Sequence, residues 1–256
     1  MRTVSAIKNI NSTLIVYGFN MVLQFIIRFV LLYYLSIEYL GLNGLFDNIL
    51  TVLSLTELGI GPAIIFSLYS PLANHDLETA KSIMRIFKKA YIYIGTLILF
   101  LGLCISPFVQ HLIKVPPNIA YLNIFFLLFV VDTGISYFYS YKKCLLIADQ
   151  KQYIANYYRG ITQLIGSLFQ IALVILTHSF WVYIILRICM TFSENFLIAR
   201  KADHLYSFLN EKNIQPLNKD IYQSIIRNIK ALILHKIGGV TVFGTSNIIL
   251  SKFVGL

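Results

Sequence analysis

Residues 25–36 read FIIRFVLLYYLS, so that Arg28 stands inside an apolar run. A cation at the centre of a bilayer costs about 2.5–3.5 kcal/mol on insertion scales, so it needs a carboxylate, water or an anionic ligand. Arg28 has company. At a helical turn of about 100° per residue, Asn9, Thr13, Tyr17, Asn20, Gln24 and Arg28 share one narrow face. The same spacing aligns Asp47, Thr51, Ser54, Glu57 and Gly61, then Asp132, Ser136 and Tyr139. It also aligns Asn156, Arg159, Gly160, Gln163, Ser167, Gln170 and Thr177, then Tyr183, Arg187, Thr191 and Glu194. A last stripe holds Gly238, Thr241, Thr245 and Lys252.

These residue types have a defined chemistry. A guanidinium offers paired donors to phosphate or carboxylate. Amides such as Asn20, Gln24, Gln163 and Gln170 match sugar hydroxyls, which both donate and accept. Glu57 and Asp132 can neutralise Arg28 and Arg187 or receive a cation. One reading makes these groups helix glue, with Arg28 and Arg187 paired to Asp47, Glu57, Asp132 or Glu194. The other makes the stripes the lining of a water-filled cavity. Five or six striped helices exceed what glue requires, because ordinary helix contacts use small residues and an occasional polar one. The expected substrate contacts are therefore Asn20, Gln24, Arg28, Glu57, Asp132, Gln163, Gln170, Arg187 and Lys252. Arg187 is expected to pair with Asp132 or Glu57.

Catalytic and cofactor signatures do not occur. The sequence has no GxxxxGK, HExxH, GxSxG or CxxC, and its five histidines are scattered near segment ends. No enzyme, no cofactor and no metal ligand set is expected. Cys104, Cys144 and Cys189 lie far apart in or beside apolar runs and read as packing residues.

The elements that must carry the stripes follow from hydropathy. The chain is 57% hydrophobic and 12% charged, against about 25% charged residues in soluble domains. Its apolar runs are continuous and helix-length, which points to an all-α membrane protein and away from a barrel. Seven segments are expected, at 12–35, 44–69, 90–110, 119–141, 156–177, 180–199 and 231–254. Short turns fall at 36–43 and 178–180, and more polar loops at 70–89, 111–118, 142–155 and 200–230. The third segment is nearly bare of polar stripe. In the second, Gly59, Gly61 and Pro62 predict a kink or unwound turn that could serve as a hinge.

The net charge of +10 is not a nucleic-acid signal, because the cations occupy short connections between apolar runs. Nearly all of them fall on one side of the expected topology, with Lys114 alone on the other. By the positive-inside rule the N-terminus is expected in the cytoplasm of a multi-pass protein.

The stretch EYLGLNGLFDNILTVLSLTELGIGPAIIFSLYSPLA (38–73) resembles the N-terminal helices of Wzx-type polysaccharide flippases. These belong to the multidrug/oligosaccharidyl-lipid/polysaccharide exporter superfamily. HKIGGVTVFGTSNIILSKFVGL (235–256) is similar to the seventh helix of that group, with TSN (245–247) where an acid often stands beside the asparagine. The resemblance implies two six-helix lobes around a central cavity with alternating access. It also implies an undecaprenyl-pyrophosphate-linked oligosaccharide as cargo, moved across the bacterial cytoplasmic membrane for capsule, exopolysaccharide or O-antigen export. Implied partners are that glycolipid, membrane lipids, a coupling ion (sodium or proton) and other polysaccharide-assembly proteins, with no nucleic acid. Two alternatives stand beside it. One is an ion-coupled multidrug exporter of the same superfamily, with a cavity ruled by acids. The other is a membrane-embedded polysaccharide polymerase or glycosyltransferase, which would normally need a large outer loop with charged residues. On the flippase reading, 1–200 is the N-terminal six-helix lobe, 201–230 a cytoplasmic connector and 231–256 the first helix of a second lobe. The expectation is that this chain is part of a transporter about twice its length.

Overall fold

The computed structural model describes residues 2–57, 59–112, 119, 121–211 and 215–234. Eight helices and no strand occur among them. They are α1 (Arg2–Tyr34), α2 (Ile37–Leu53), α3 (Ile60–Ala73), α4 (Leu77–Ile105), α5 (Leu122–Ala148), α6 (Gln152–Thr177), α7 (Phe180–Leu205) and α8 (219–234). Short 3-10 turns follow α2, α4 and α7. Five stretches among the described residues are long and apolar enough to cross a membrane: Thr3–Tyr34, Leu77–His111, Leu122–Ala148, Gln152–Thr177 and Phe180–Leu205. This is the pattern of a multi-pass membrane protein.

The count of six segments plus one does not carry over. The second segment, expected as one span at 44–69, is two helices. Its first half, α2, starts at Ile37 inside the expected turn 36–43. The chain then tightens into a 3-10 turn at Ser54–Glu57 and turns through Gly59, whose φ is 80°. Pro62 is the third residue of α3, where a backbone N–H would have no intrahelical acceptor, so the ring costs the helix nothing. The first helical hydrogen bond of α3 runs from Ala63 N to Gly59 O at 3.1 Å. The unwound turn expected at 57–62 is therefore present.

Two of the expected loops are mostly helix. Within 70–89, α3 continues to Ala73 and α4 begins at Leu77, started by the Asp76 carboxylate accepting from Thr79 N at 3.0 Å. Within 142–155, α5 runs on to Ala148 and α6 resumes at Gln152. A hydropathy run stops where lysines begin, whereas helical hydrogen bonding does not. The helices therefore outrun the apolar core, and about 20 residues suffice to cross it. The connector 201–230 likewise holds the end of α7 and much of α8. Most of the seventh segment, with Lys252 and its stripe, lies outside the described residues.

Neighbouring helices pack in the order α1, α6, α7, α5, α4, with α3 against α4 and α5. Close approach of α4 and α5 rests on small residues: Gly102 faces Val130, and a Cβ on Gly134 would lie 2.6 Å from Leu99. Two apolar clusters result. One gathers Phe87, Tyr91, Leu145 and Ala202 at the end where the basic residues lie. The other gathers Leu31, Phe46, Phe126, Phe129 and Ile184 towards the opposite end. Leu14, Ile15, Phe25 and Phe29 of α1 are exposed, as lipid-facing residues are. Cys144 is buried, while Cys104 and Cys189 are exposed, and all three are free thiols.

Gly59 has a left-handed backbone that costs an L-residue about 1–2 kcal/mol. A Cβ there would also lie 3.0 Å from Leu232 Cβ of α8. Gly59→Ala should lower stability by about that amount in thermal unfolding in detergent. An unchanged unfolding midpoint would show that the turn does not depend on glycine.

Candidate substrate-binding site

Midway through the bundle, α1, α2, α5, α6 and α7 surround a polar cavity of about 230 Å³. Its wall includes Gln24 and Arg28 from α1, Asn43 and Asp47 from α2, and Asp132 from α5. Gln163 and Gln170 from α6 and Tyr183, Arg187 and Thr191 from α7 complete the polar lining. Arg28 lies six residues from the end of α1, and Arg187 seven residues into α7. At 1.5 Å per residue, both are about 10 Å from the helix ends at that side, well inside a 30 Å hydrocarbon layer.

Arg187 organises the wall. Its Nε donates to Asp132 Oδ2 at 2.9 Å and its Nη2 to Asp47 Oδ1 at 2.8 Å. Nη1 donates to Asn43 Oδ1 at 3.3 Å, and the guanidinium carbon lies 4.4 Å from the Phe129 ring centre. Asn43 Oδ1 also accepts the Tyr183 hydroxyl at 2.9 Å, and Asn43 Nδ2 donates to Asp47 Oδ2 at 3.3 Å. Three helices are thus tied through one planar cation whose fork geometry suits several acceptors. Asp132 is buried, and its Oδ1 has no hydrogen-bond partner among the described residues.

Arg28 is different. It is exposed, and it makes no hydrogen bond or ion pair among the described residues. Gln24 stands one turn away on the same face. The Gln170 amide donates to Tyr183 O at 2.8 Å, and the Gln163 amide to Glu194 Oε2 at 3.3 Å. The cavity's two arginines and two aspartates are formally balanced. Since Arg187 serves both carboxylates, Arg28 has no carboxylate partner among the described residues.

Six of the expected substrate contacts meet here: Gln24, Arg28, Asp132, Gln163, Gln170 and Arg187. The Arg187–Asp132 pair expected from the stripes is present. Asn20 lies one turn short of the cavity, half-buried, with its Oδ1 unpartnered among the described residues. Lys252 lies outside the described residues. Glu57 is elsewhere, and the expected link to Arg187 is replaced. Its Oε1 accepts the Tyr91 hydroxyl at 2.9 Å and its Oε2 the Tyr137 hydroxyl at 3.3 Å. The 3-10 turn shifts the phase of the helix after Leu53, so Glu57 leaves the face that carries Asp47 and turns towards α4 and α5.

The α1 stripe divides along its length. Near the basic end it is glue: Asn9 accepts from Tyr153 N at 2.8 Å and donates to Gln150 O at 3.0 Å. Asn156 donates to Thr13 at 2.9 Å, and Arg159 lies over the Tyr17 ring at 5.2 Å. Only from Gln24 onward does the stripe open into the cavity. Asn43 falls outside the expected contacts because 36–43 reads as a turn. The signal was present in its four-residue spacing from Asp47, which extends the second stripe by one turn.

Comparison with protein-family models, curated proteins and solved structures yields no match.

Proposed function

We propose that this chain serves membrane transport, its cavity receiving the anionic, sugar-bearing head of a lipid-linked oligosaccharide. The observation that carries this reading is the composition of the cavity. An unpaired guanidinium and three glutamines line it, at a depth where any unsatisfied cation is costly. Arg28 suits a pyrophosphate oxygen pair. Gln24, Gln163 and Gln170 suit the hydroxyls of the first sugar. A volume of about 230 Å³ holds a head group and not a whole oligosaccharide, since sites for drug-sized ligands run about 300–1,000 Å³. The cavity must open for passage, and the break between α2 and α3 supplies a place for the wall to bend. Alternating access across a bacterial cytoplasmic membrane, with the basic end of the bundle in the cytoplasm, completes the reading.

The multidrug-exporter alternative draws less support. It needs carboxylates open to a cation, whereas Arg187 holds Asp47 and Asp132, and Tyr91 and Tyr137 hold Glu57. The two readings separate in a binding experiment on the purified chain in nanodiscs. A prenyl-pyrophosphate-linked sugar should bind, and a cationic dye should not displace it. Dye binding without glycolipid binding would transfer the site to the exporter reading.

A further inference from the structure

The basic end of the bundle holds a second recess, separate from the central cavity. It is the larger of the two, about 570 Å³, and lies between α4, α5 and α7 and the turn after α7. Lys81, Arg85, Lys88 and Lys89 of α4 line it, together with Lys142 of α5. Their spacing of four, three and one places the α4 residues on one helix face. We propose that this recess binds the phosphate group of an anionic lipid.

The charge balance favours an anion. Lys81 is buried and already held, its Nζ 2.7 Å from Glu78 and 2.8 Å from Glu211. Lys142 is likewise paired with Asp203 at 2.5 Å. Of these three bridges, Lys81–Glu211 fastens the turn after α7 to α4, and Lys142–Asp203 ties α5 to α7. Arg85, Lys88 and Lys89 remain, all exposed and without an ion pair among the described residues. Three unneutralised cations on one wall of a recess repel one another, and a bound phosphate relieves that repulsion.

Position selects a lipid over a soluble anion. Lys89 is the last charged residue before the apolar run 90–110, so it stands at the headgroup layer. Ile92, one turn deeper, is exposed and also lines the recess. Cations above and an exposed aliphatic residue below match a headgroup above an acyl chain. Basic pockets between helices at this level are the usual seats of phosphate-bearing lipids.

The test is native mass spectrometry of the purified chain with dioleoyl-phosphatidylglycerol or dioleoyl-phosphatidylcholine. Phosphatidylglycerol should be retained in preference to phosphatidylcholine. Arg85→Ser/Lys88→Ser/Lys89→Ser should weaken that binding on the order of 100-fold, each interfacial cation contributing about fivefold. The conservative variant Arg85→Lys/Lys88→Arg/Lys89→Arg should keep it, which separates charge from misfolding. A control with the same loss of charge on α8, Lys219→Ser/Arg227→Ser/Lys230→Ser, should also keep it. Equal loss in both serine triples would replace the site with diffuse surface charge and overturn the proposal. Equal retention of phosphatidylcholine would overturn it too. Displacement of the lipid by millimolar inorganic phosphate would assign the recess to a soluble anion instead.

Discussion

Arg187→Ala should lower the stability of the chain by about 3 kcal/mol, the low end of the cost of breaking a buried ion pair from one side, because Asp132 is buried while Arg187 is half-buried. Asp132 would be left in a buried position without its Arg187 partner. Asp47 and Asn43 on α2 would each lose one donor, leaving the Tyr183–Asn43 bond and apolar packing to hold α2 against α5 and α7. A fall of this size is a large fraction of ordinary domain stability, and the expected result in detergent is a strongly reduced folded population. The companion variant decides the cause. Arg187→Met with Asp47→Asn and Asp132→Asn removes all three charges together and should recover most of the loss, since replacing a whole buried ion cluster is often neutral. A single variant that unfolds at the wild-type midpoint would show that the cluster holds nothing together.

Arg28→Ala should have the opposite profile. Arg28 touches no partner in the described structure, so stability should stay within about 0.5 kcal/mol, as for ordinary surface changes. Binding of the prenyl-pyrophosphate-linked sugar should fall on the order of 10- to 100-fold, because hydrogen bonds to charged groups contribute about 1.5–3 kcal/mol. Arg28→Lys should retain part of that affinity, keeping the charge but losing the paired donors. Undiminished glycolipid binding by a stably folded Arg28→Ala protein would remove Arg28 from the site and, with it, the main support for an anionic head in this cavity.

The two arginines show how far the stripes were legible. Both stand on polar faces with equal claims, and periodicity treats them alike. Arg187 has carboxylates within 3 Å on two neighbouring helices, whereas Arg28 has none among the described residues. Which role each takes depends on the distance between helices, and a helical wheel contains no such distance. The α1 stripe makes the same point: one continuous polar face is glue at Asn9 and Thr13 and cavity wall at Gln24 and Arg28.

The sequence by itself determined that the chain is helical and membrane-spanning, because long apolar runs can satisfy their backbone in a bilayer only as helices or closed barrels. It determined the polar faces, since 3.6 residues per turn fixes which side chains share a side. It also marked a break near residues 59–62, since Gly59, Gly61 and Pro62 together disfavour a continuous helix. Only the tertiary structure decided where helices end, because charges halt a hydropathy run without halting hydrogen bonds. It alone sent Glu57 to Tyr91 and Tyr137, because a 3-10 turn rotates everything after it away from the preceding face. And it alone joined Asn43, Asp47, Asp132 and Arg187, which lie on three separate helices and meet only when those helices pack.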